Sequence, residues 1–176
     1  MALRAFKGVS PTVPASAYVD DSAVVVGDVV LGDNVSIWPG AVIRGDVNHV
    51  RIGTDSNIQD LACLHVTHKR PEDPEGAPLI IGERVTIGHQ VTLHGCTIGD
   101  ECLIGIGTIV LDRAVIEPRV MVGAGSLVPP GKVLKSGYLY VGRPAKEVRA
   151  LTEGELEHFA YSARHYIKLM RAHQES

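Results

Sequence analysis

The hydrophobic pattern of this chain repeats every six residues, a period that differs from the two residues of a strand and the 3.6 of a helix. Aliphatic residues keep this spacing in four runs along the chain. A glycine directly follows many of them. The repeated positions are Val13, Val19, Val25, Leu31, Ile37 and Ile43; Ile52, Ile58 and Leu64; Ile81, Ile87 and Leu93; and Ile98, Ile104, Val110, Ile116, Val122 and Val128. We call these positions the ruler.

A six-residue period with small residues beside the aliphatic one is typical of hexapeptide β-helix repeats. Each unit forms one short strand and a tight corner, and three units close a triangular coil of about 18 residues. Coils stack at about the 4.8 Å spacing of paired strands, with the ruler residues pointing inward. The sequence therefore predicts an all-β solenoid, a parallel β-helix, over residues 1–150.

Two interruptions of the ruler predict departures from the regular coil. Nine residues separate Ile43 from Ile52, and seventeen separate Leu64 from Ile81. The longer insertion contains THKRPEDPEGAP, which is rich in proline and charge. We expect this segment to leave the β-helix as an exposed loop.

The last segment, residues 151–176, has the pattern of a helix. Thr152 followed by Glu155 is a capping-box match that predicts a helix start. The apolar residues that recur at helical spacing over about 152–173 are Leu156, Phe159, Ala160, Ala163, Tyr166, Ile167 and Met170. This apolar stripe predicts a helix that packs on the β-helix or on a neighbouring subunit.

Polar residues that directly follow the ruler place a row of side chains on one outer face. Ile43, Leu64 and Leu93 are successively three units apart, so they stack on the same face. The residue after an inward one points outward. Arg44, His65 and His94 stand in these positions and form an outward row.

A second outward row follows Ile58 and Ile87 on the next face. It contains Gln59, Asp60 and His89. Cyclic assembly pairs unlike faces, so a threefold trimer would bring His65 and His94 of one subunit towards His89 of the next. Three imidazoles with an open fourth position are typical of a catalytic zinc site.

Composition narrows the classes of function. The net charge of −3 and the lack of a basic run argue against nucleic acid and anionic membranes as partners. No run of about 18 apolar residues and no signal-peptide pattern is present. Three cysteines without a framework spacing fit reduced thiols, so we expect a cytoplasmic protein.

Several motifs of the chain resemble those of the γ-class carbonic anhydrases and their bacterial hexapeptide homologues. The matching segments are IWPGAVIRGD, IGTDSNIQD, LHVTH, IGHQVTLHGC, GAGSLV and YLYVGRPAK. The resemblance covers essentially the whole chain. It implies a left-handed β-helix, a homotrimer, and a metal ion at each of three subunit interfaces.

The resemblance also implies roles for single residues. His65, His89 and His94 match the metal ligands, with His89 supplied by the neighbouring subunit, and the ion would be Zn²⁺, with Fe²⁺ or Co²⁺ as alternatives. Arg44 and Asp60 match an ion pair between subunits. Asp46 matches an acidic residue that supports the interface. Gln59 matches the residue near the metal-bound solvent. Tyr138 or Tyr140 matches a tyrosine that lies near the metal in some members.

The expected reaction is reversible hydration of carbon dioxide. Zinc held by three neutral imidazoles lowers the pKa of bound water from 15.7 to about 7, which makes hydroxide available at neutral pH. The glutamates that pass protons to solvent in the founding archaeal enzyme are missing here, where Val47 follows RGD and His68 follows LHVT. The sequence therefore predicts slow turnover, with His68 as the candidate proton shuttle.

Three other functions fit the same fold, because a fold does not determine its function. A hexapeptide acyltransferase would need one catalytic histidine and a cleft for pantetheine. A metal-dependent acyl-CoA thioesterase would use the same three histidines. A non-catalytic trimeric assembly protein would be expected to have lost ligands, and none is missing here.

Overall fold

The computed structural model describes residues 2–175 and forms a parallel β-helix that ends in one helix. The strands are β1 Ala2–Arg4, β2 Tyr18–Val19, β3 Val24–Leu31, β4 Ser36–Ile37, β5 Val42–Ile52, β6 Asn57–Ile58, β7 Cys63–His65, β8 Leu79–Ile81, β9 Thr86–Ile87, β10 Thr92–His94, β11 Thr97–Ile98, β12 Leu103–Ile104, β13 Ile109–Val110, β14 Val115–Ile116, β15 Met121–Val122, β16 Leu127–Val128, β17 Val133–Leu134, β18 Tyr138–Gly142 and β19 Ala145–Ala150. The helix, α1, is Glu153–Gln174. The predicted hexapeptide β-helix with a C-terminal helix is confirmed. Residues 1 and 176, the ends of the two predicted segments, lie outside the described residues.

The strands stack with their neighbours one coil away, as the ruler predicts. One sheet has the order β19-β18-β15-β12-β9-β6-β4-β2. Within it, only β18 and β19 pair in antiparallel fashion. The other sheet combines the two remaining faces, because β3 and β5 are long enough to continue from one face to the next. Coils therefore follow one another in a single parallel stack.

Ruler residues fill the interior of the stack. All of them from Val25 to Val128 are at most 3% exposed, whereas Val13 and Val19 at the first coil are only partly buried. The ladder also continues beyond Val128, because Leu134 pairs with Ile116 in register and Tyr140 pairs with Val122. A chain with 5% aromatic residues thus buries one continuous aliphatic core.

Both interruptions lie where the chain leaves the regular coil. In β5 the register with β3 shifts between Gly27 and Val29, so residues 46–49 bulge out of the ladder. Residues 66–78 form the predicted loop, which is closed at its base by backbone hydrogen bonds between Thr67 and Ala77. The loop is exposed at residues 68–72.

Helix α1 runs back along the sheet that contains β2, β4 and β9. Thr152 and Glu155 form the predicted capping box. Phe159 and Met170 are buried against the β-helix, whereas Leu156, the first residue of the predicted stripe, is 38% exposed. No helix within residues 2–175 is long and apolar enough to cross a membrane.

Candidate metal centre

Two of the predicted ligands meet on one outer face. Strands β7 and β10 pair so that His94 lies beside His65, because Leu64 and Leu93 stack in the core beneath them. His65 Nδ1 lies 3.2 Å from His94 Nε2. The alternation of inward leucine and outward histidine therefore produces the pair.

The other ring nitrogen of each histidine faces a carboxylate. His65 Nε2 lies 3.1 Å from Asp46 Oδ1, and His94 Nδ1 lies 2.5 Å from Asp112 Oδ1. Asp46 reaches the site because it stands in the bulge of β5, and Asp112 because it stands at the corner one coil beyond His94. Asp46 is among the residues that the resemblance identifies, whereas Asp112 is not.

The third predicted ligand, His89, lies at the corner between β9 and β10. Its Nδ1 is 2.9 Å from Asp60 Oδ2, one coil away, so these two members of the second outward row lie side by side. Both side chains are more than two-fifths exposed. Among residues 2–175, no group of three His, Cys, Asp or Glu side chains within one chain is arranged to hold a metal.

Burial and charge keep His65 suited to bind a cation. Burial lowers the pKa of His65, with a smaller contribution from the positive charge of Arg44, so the imidazole stays neutral near neutral pH. Burial opposes ionisation of Asp46, but hydrogen bonds from Arg44 and His65 outweigh it and hold the pKa of Asp46 below its usual range. A neutral imidazole next to an ionised carboxylate is the state that a metal ligand requires.

Arg44 and Asp60 have different partners within one chain. Arg44 Nη1 lies 2.5 Å from Asp46 Oδ2, and Asp60 pairs with His89. The ion pair between Arg44 and Asp60 of neighbouring subunits stays a prediction. His68 is exposed in the loop of residues 66–78, and its role as a proton shuttle also stays a prediction.

Both predicted tyrosines lie on β18, in a different sheet from β7 and β10, the strands of the histidine pair. Tyr140 is 4% exposed and belongs to the core, where its hydroxyl accepts a hydrogen bond from the backbone N–H of Lys135. Tyr138 lies on β18, three strands from β9, or about 14 Å along the stack. Tyr140 thus continues the inward ladder, and the tyrosine near the metal stays a prediction.

Gln59 is not on an open outer face as its row predicts. Helix α1 covers this part of the sheet, and Gln59 is only 5% exposed. Its Nε2 donates to Asn57 Oδ1 at 3.0 Å, and Asn57 Nδ2 donates to Thr86 Oγ1 at 3.1 Å. Thr86 in turn bonds Ser162 of the helix at 2.8 Å, so a buried polar chain fixes the amide of Gln59.

A groove of about 270 Å³ runs between α1 and the sheet beside Gln59. Its walls include Ile106 on the β-helix and His158, Tyr161 and Tyr166 on the helix. The helical period places Tyr166 on the predicted apolar stripe, and no motif in the sequence singles out Tyr161. These are the tyrosines that the fold brings next to Gln59.

The histidine pair fits two ligands of one tetrahedral zinc ion. Zinc–nitrogen distances of about 2.0–2.1 Å place two ligand nitrogens of a tetrahedron about 3.3 Å apart. The observed separation of His65 Nδ1 and His94 Nε2 is 3.2 Å. The carboxylate behind each imidazole is the usual support of a ligating histidine.

Comparisons with known proteins identify the family of the chain. The family described as "Bacterial transferase hexapeptide (six repeats)" matches residues 10–45 and 95–130. Protein YrdA of Escherichia coli is 54% identical over 94% of this chain and 90% of its own length. A carbonic anhydrase of Geobacillus kaustophilus is 46% identical over 93% of this chain and 86% of its own. The chain belongs to the γ-class carbonic anhydrase family of hexapeptide-repeat proteins.

A solved structure supports the same fold. The hexapeptide transferase family protein of Anaplasma phagocytophilum is 44% identical, covers 97% of each chain and superposes with a TM-score of 0.91. The name of this protein refers to transferases, whereas that of the Geobacillus relative refers to carbonic anhydrase. Membership of the family therefore does not by itself determine the reaction.

Proposed function

We propose that this protein is a γ-type carbonic anhydrase that hydrates carbon dioxide reversibly at the interfaces of a homotrimer. The observation that carries the proposal is the pair His65 and His94, whose facing nitrogens have the separation of two ligands on one ion. His89, exposed at the corner and backed by Asp60, would be the third ligand of the neighbouring subunit's site. Membership of the γ-class carbonic anhydrase family supports a metal cofactor.

Zinc is the ion we propose, and when bound it supplies a Lewis acid that activates water at neutral pH. The chain supplies the rest of the site. Asp46 would orient the imidazole of His65 and leave its Nδ1 free to bind the ion. Gln59, fixed through Asn57 and the helix, would orient the reacting water, because an amide can both donate and accept.

Arg44 and His68 have separate proposed roles. Arg44 holds Asp46 and so supports the ligand His65, in addition to its predicted ion pair with Asp60 across the interface. His68 would carry protons to solvent from its exposed loop. Because the glutamate shuttle of the founding enzyme is replaced here, we expect a slow reaction. The free thiols of the three cysteines support a cytoplasmic location.

The test is metal analysis of the purified protein, followed by a carbon dioxide hydration assay on the metal-loaded trimer. We expect stoichiometric metal and a hydration rate that falls in His65→Ala. A protein that takes up no metal would contradict the proposal and favour the acyltransferase. A metal-loaded trimer that cleaves acyl-CoA but does not hydrate carbon dioxide would replace it by the thioesterase, and one inactive on both would favour the assembly protein.

A further inference from the structure

Asp112 is a carboxylate that connects a predicted ligand to the insertion loop. One of its oxygens lies 2.5 Å from His94 Nδ1, and the other accepts a hydrogen bond from the hydroxyl of Thr67 at 2.6 Å. The carboxylate is thus held from two sides.

Thr67 is itself fixed at the base of the loop. Its backbone pairs with Ala77, and its carbonyl accepts a hydrogen bond from the amide of Asn48 at 3.0 Å. The same amide donates to the carbonyl of Glu75 at 2.8 Å, and Asn48 is only 8% exposed. The loop is therefore closed by a nearly buried side chain, which sets the position of the Thr67 hydroxyl.

The backbone next to His94 leaves room for the carboxylate. Gly95 directly follows His94 and has a φ of +52°, in the left-handed region. A Cβ at this position would lie 2.8 Å from Asp112 Oδ1 and 2.7 Å from the Cβ of Ala77. A side chain here would push the carboxylate or the loop away, so glycine permits the close approach.

We propose that Asp112, held by Thr67 of the insertion loop, is a positioning residue that fixes the tautomer and ring orientation of His94. Its carboxylate accepts a hydrogen bond from Nδ1–H and thereby leaves Nε2, the nitrogen that faces His65, unprotonated and free to bind a metal ion. This inference rests on the proposed function, because it assumes that His94 is a ligand. It gives the loop a role in the site beyond that of a surface insertion.

The experiment compares Asp112→Ala and Thr67→Val with the control Asp73→Asn. Asp73 lies in the same loop and pairs with Arg113, so the control removes a loop carboxylate that does not contact a histidine. Zn²⁺ affinity is measured by competition with a chromogenic chelator. Loss of an outer-shell partner typically weakens metal binding 10–100-fold. We expect that loss in Asp112→Ala, a smaller one in Thr67→Val, and none in Asp73→Asn.

A second readout separates positioning from a general loss of stability. Nitrogen NMR of the metal-free protein reports which ring nitrogen of His94 carries the proton. We expect Nδ1–H in the wild type and a mixture of tautomers in Asp112→Ala. Unchanged affinity and tautomer in Asp112→Ala, or an equal loss of affinity in Asp73→Asn, would overturn the inference. A wild type that binds no Zn²⁺ would instead refute the proposed function, and the NMR measurement would still test the contact of Asp112 with His94.

Discussion

Leu93 and His94 are adjacent residues, but replacing each by alanine should affect different properties, stability in one case and metal binding in the other. Leu93 is fully buried in the ladder between Leu64 and Val110, whereas the side chain of His94 is 35% exposed and lies in the candidate site. Leu93→Ala should therefore lower the free energy of unfolding and keep the ligands. His94→Ala should lose metal and keep the fold.

The size of the Leu93→Ala effect follows from how little its surroundings can collapse. Replacing a buried leucine by alanine costs about 2–5 kcal/mol of stability, and the cost is highest where the cavity left behind persists. Leu64 and Val110 are held in place by backbone hydrogen bonds of 2.9 Å on both sides of β10, from Cys63 to Val91 and from Thr92 to Thr108. We expect about 3–5 kcal/mol, which for a chain of this size lowers Tm by about 6–20 °C.

His94→Ala should cost much less in metal-free protein, about 1 kcal/mol, because it removes a partly exposed side chain. Thermal unfolding followed by far-UV circular dichroism measures both variants in excess chelator, which removes stabilisation by bound metal. The protein concentration is kept constant, because the stability of an oligomer depends on it. A larger loss of Tm in His94→Ala than in Leu93→Ala would refute the assignment of inward and outward positions.

Three further predictions concern the surroundings of the site. Burial and the charge of Arg51 lower the pKa of His49, so below about pH 6.5 the unfolded chain binds a proton more readily than the folded chain. Metal-free protein should therefore lose stability as the pH falls through this range. In His49→Gln, Tm should fall less between pH 7 and pH 5 than in the wild type. Phe159→Ala removes a helix side chain that is 2% exposed, so it should lower the free energy of unfolding by about 3–5 kcal/mol. The amides of α1 should then exchange hydrogen before those of the β-strands. His68→Ala should slow hydration in weak buffer, and added imidazole should restore the rate; an equal rate without imidazole would exclude His68 as the shuttle.

The sequence predicted the ladder and the faces because both depend on local rules. A six-residue period places the aliphatic residues inward, and alternation then puts His65 and His94 outward and in register. The same ruler, continued by two units beyond Val128, reaches Leu134 and Tyr140. That extension would have shown that Tyr140 belongs to the core.

Contacts between distant parts of the chain were not predictable in this way. The helical period shows that α1 has an apolar stripe, but not which face of the β-helix it covers, so the burial of Gln59 beneath it was missed. The groove with Tyr161 and Tyr166 was missed for the same reason. These features depend on how the helix docks.

Asp112 was missed although the sequence contains a signal for it. It stands two residues after the ruler position Val110, as Asp60 and His89 stand two residues after theirs. The ruler shows that such a residue lies at a corner one coil beyond His94. It does not show that the left-handed Gly95 lets the carboxylate reach the imidazole, because that approach depends on backbone conformation.

The metal content of mixed trimers tests the central claim most directly, because each site is proposed to combine two subunits. The wild type should bind about one ion per chain, and His89→Ala or His94→Ala alone almost none. When the two variants are unfolded together in equal amounts and refolded, a site is complete only where a subunit with intact His94 meets one with intact His89. Random assembly makes this true of about one half times one half, or about a quarter, of the interfaces. Recovery of about a quarter of the wild-type metal is the predicted result, and no recovery from a mixture shown to form trimers would contradict a site shared between subunits.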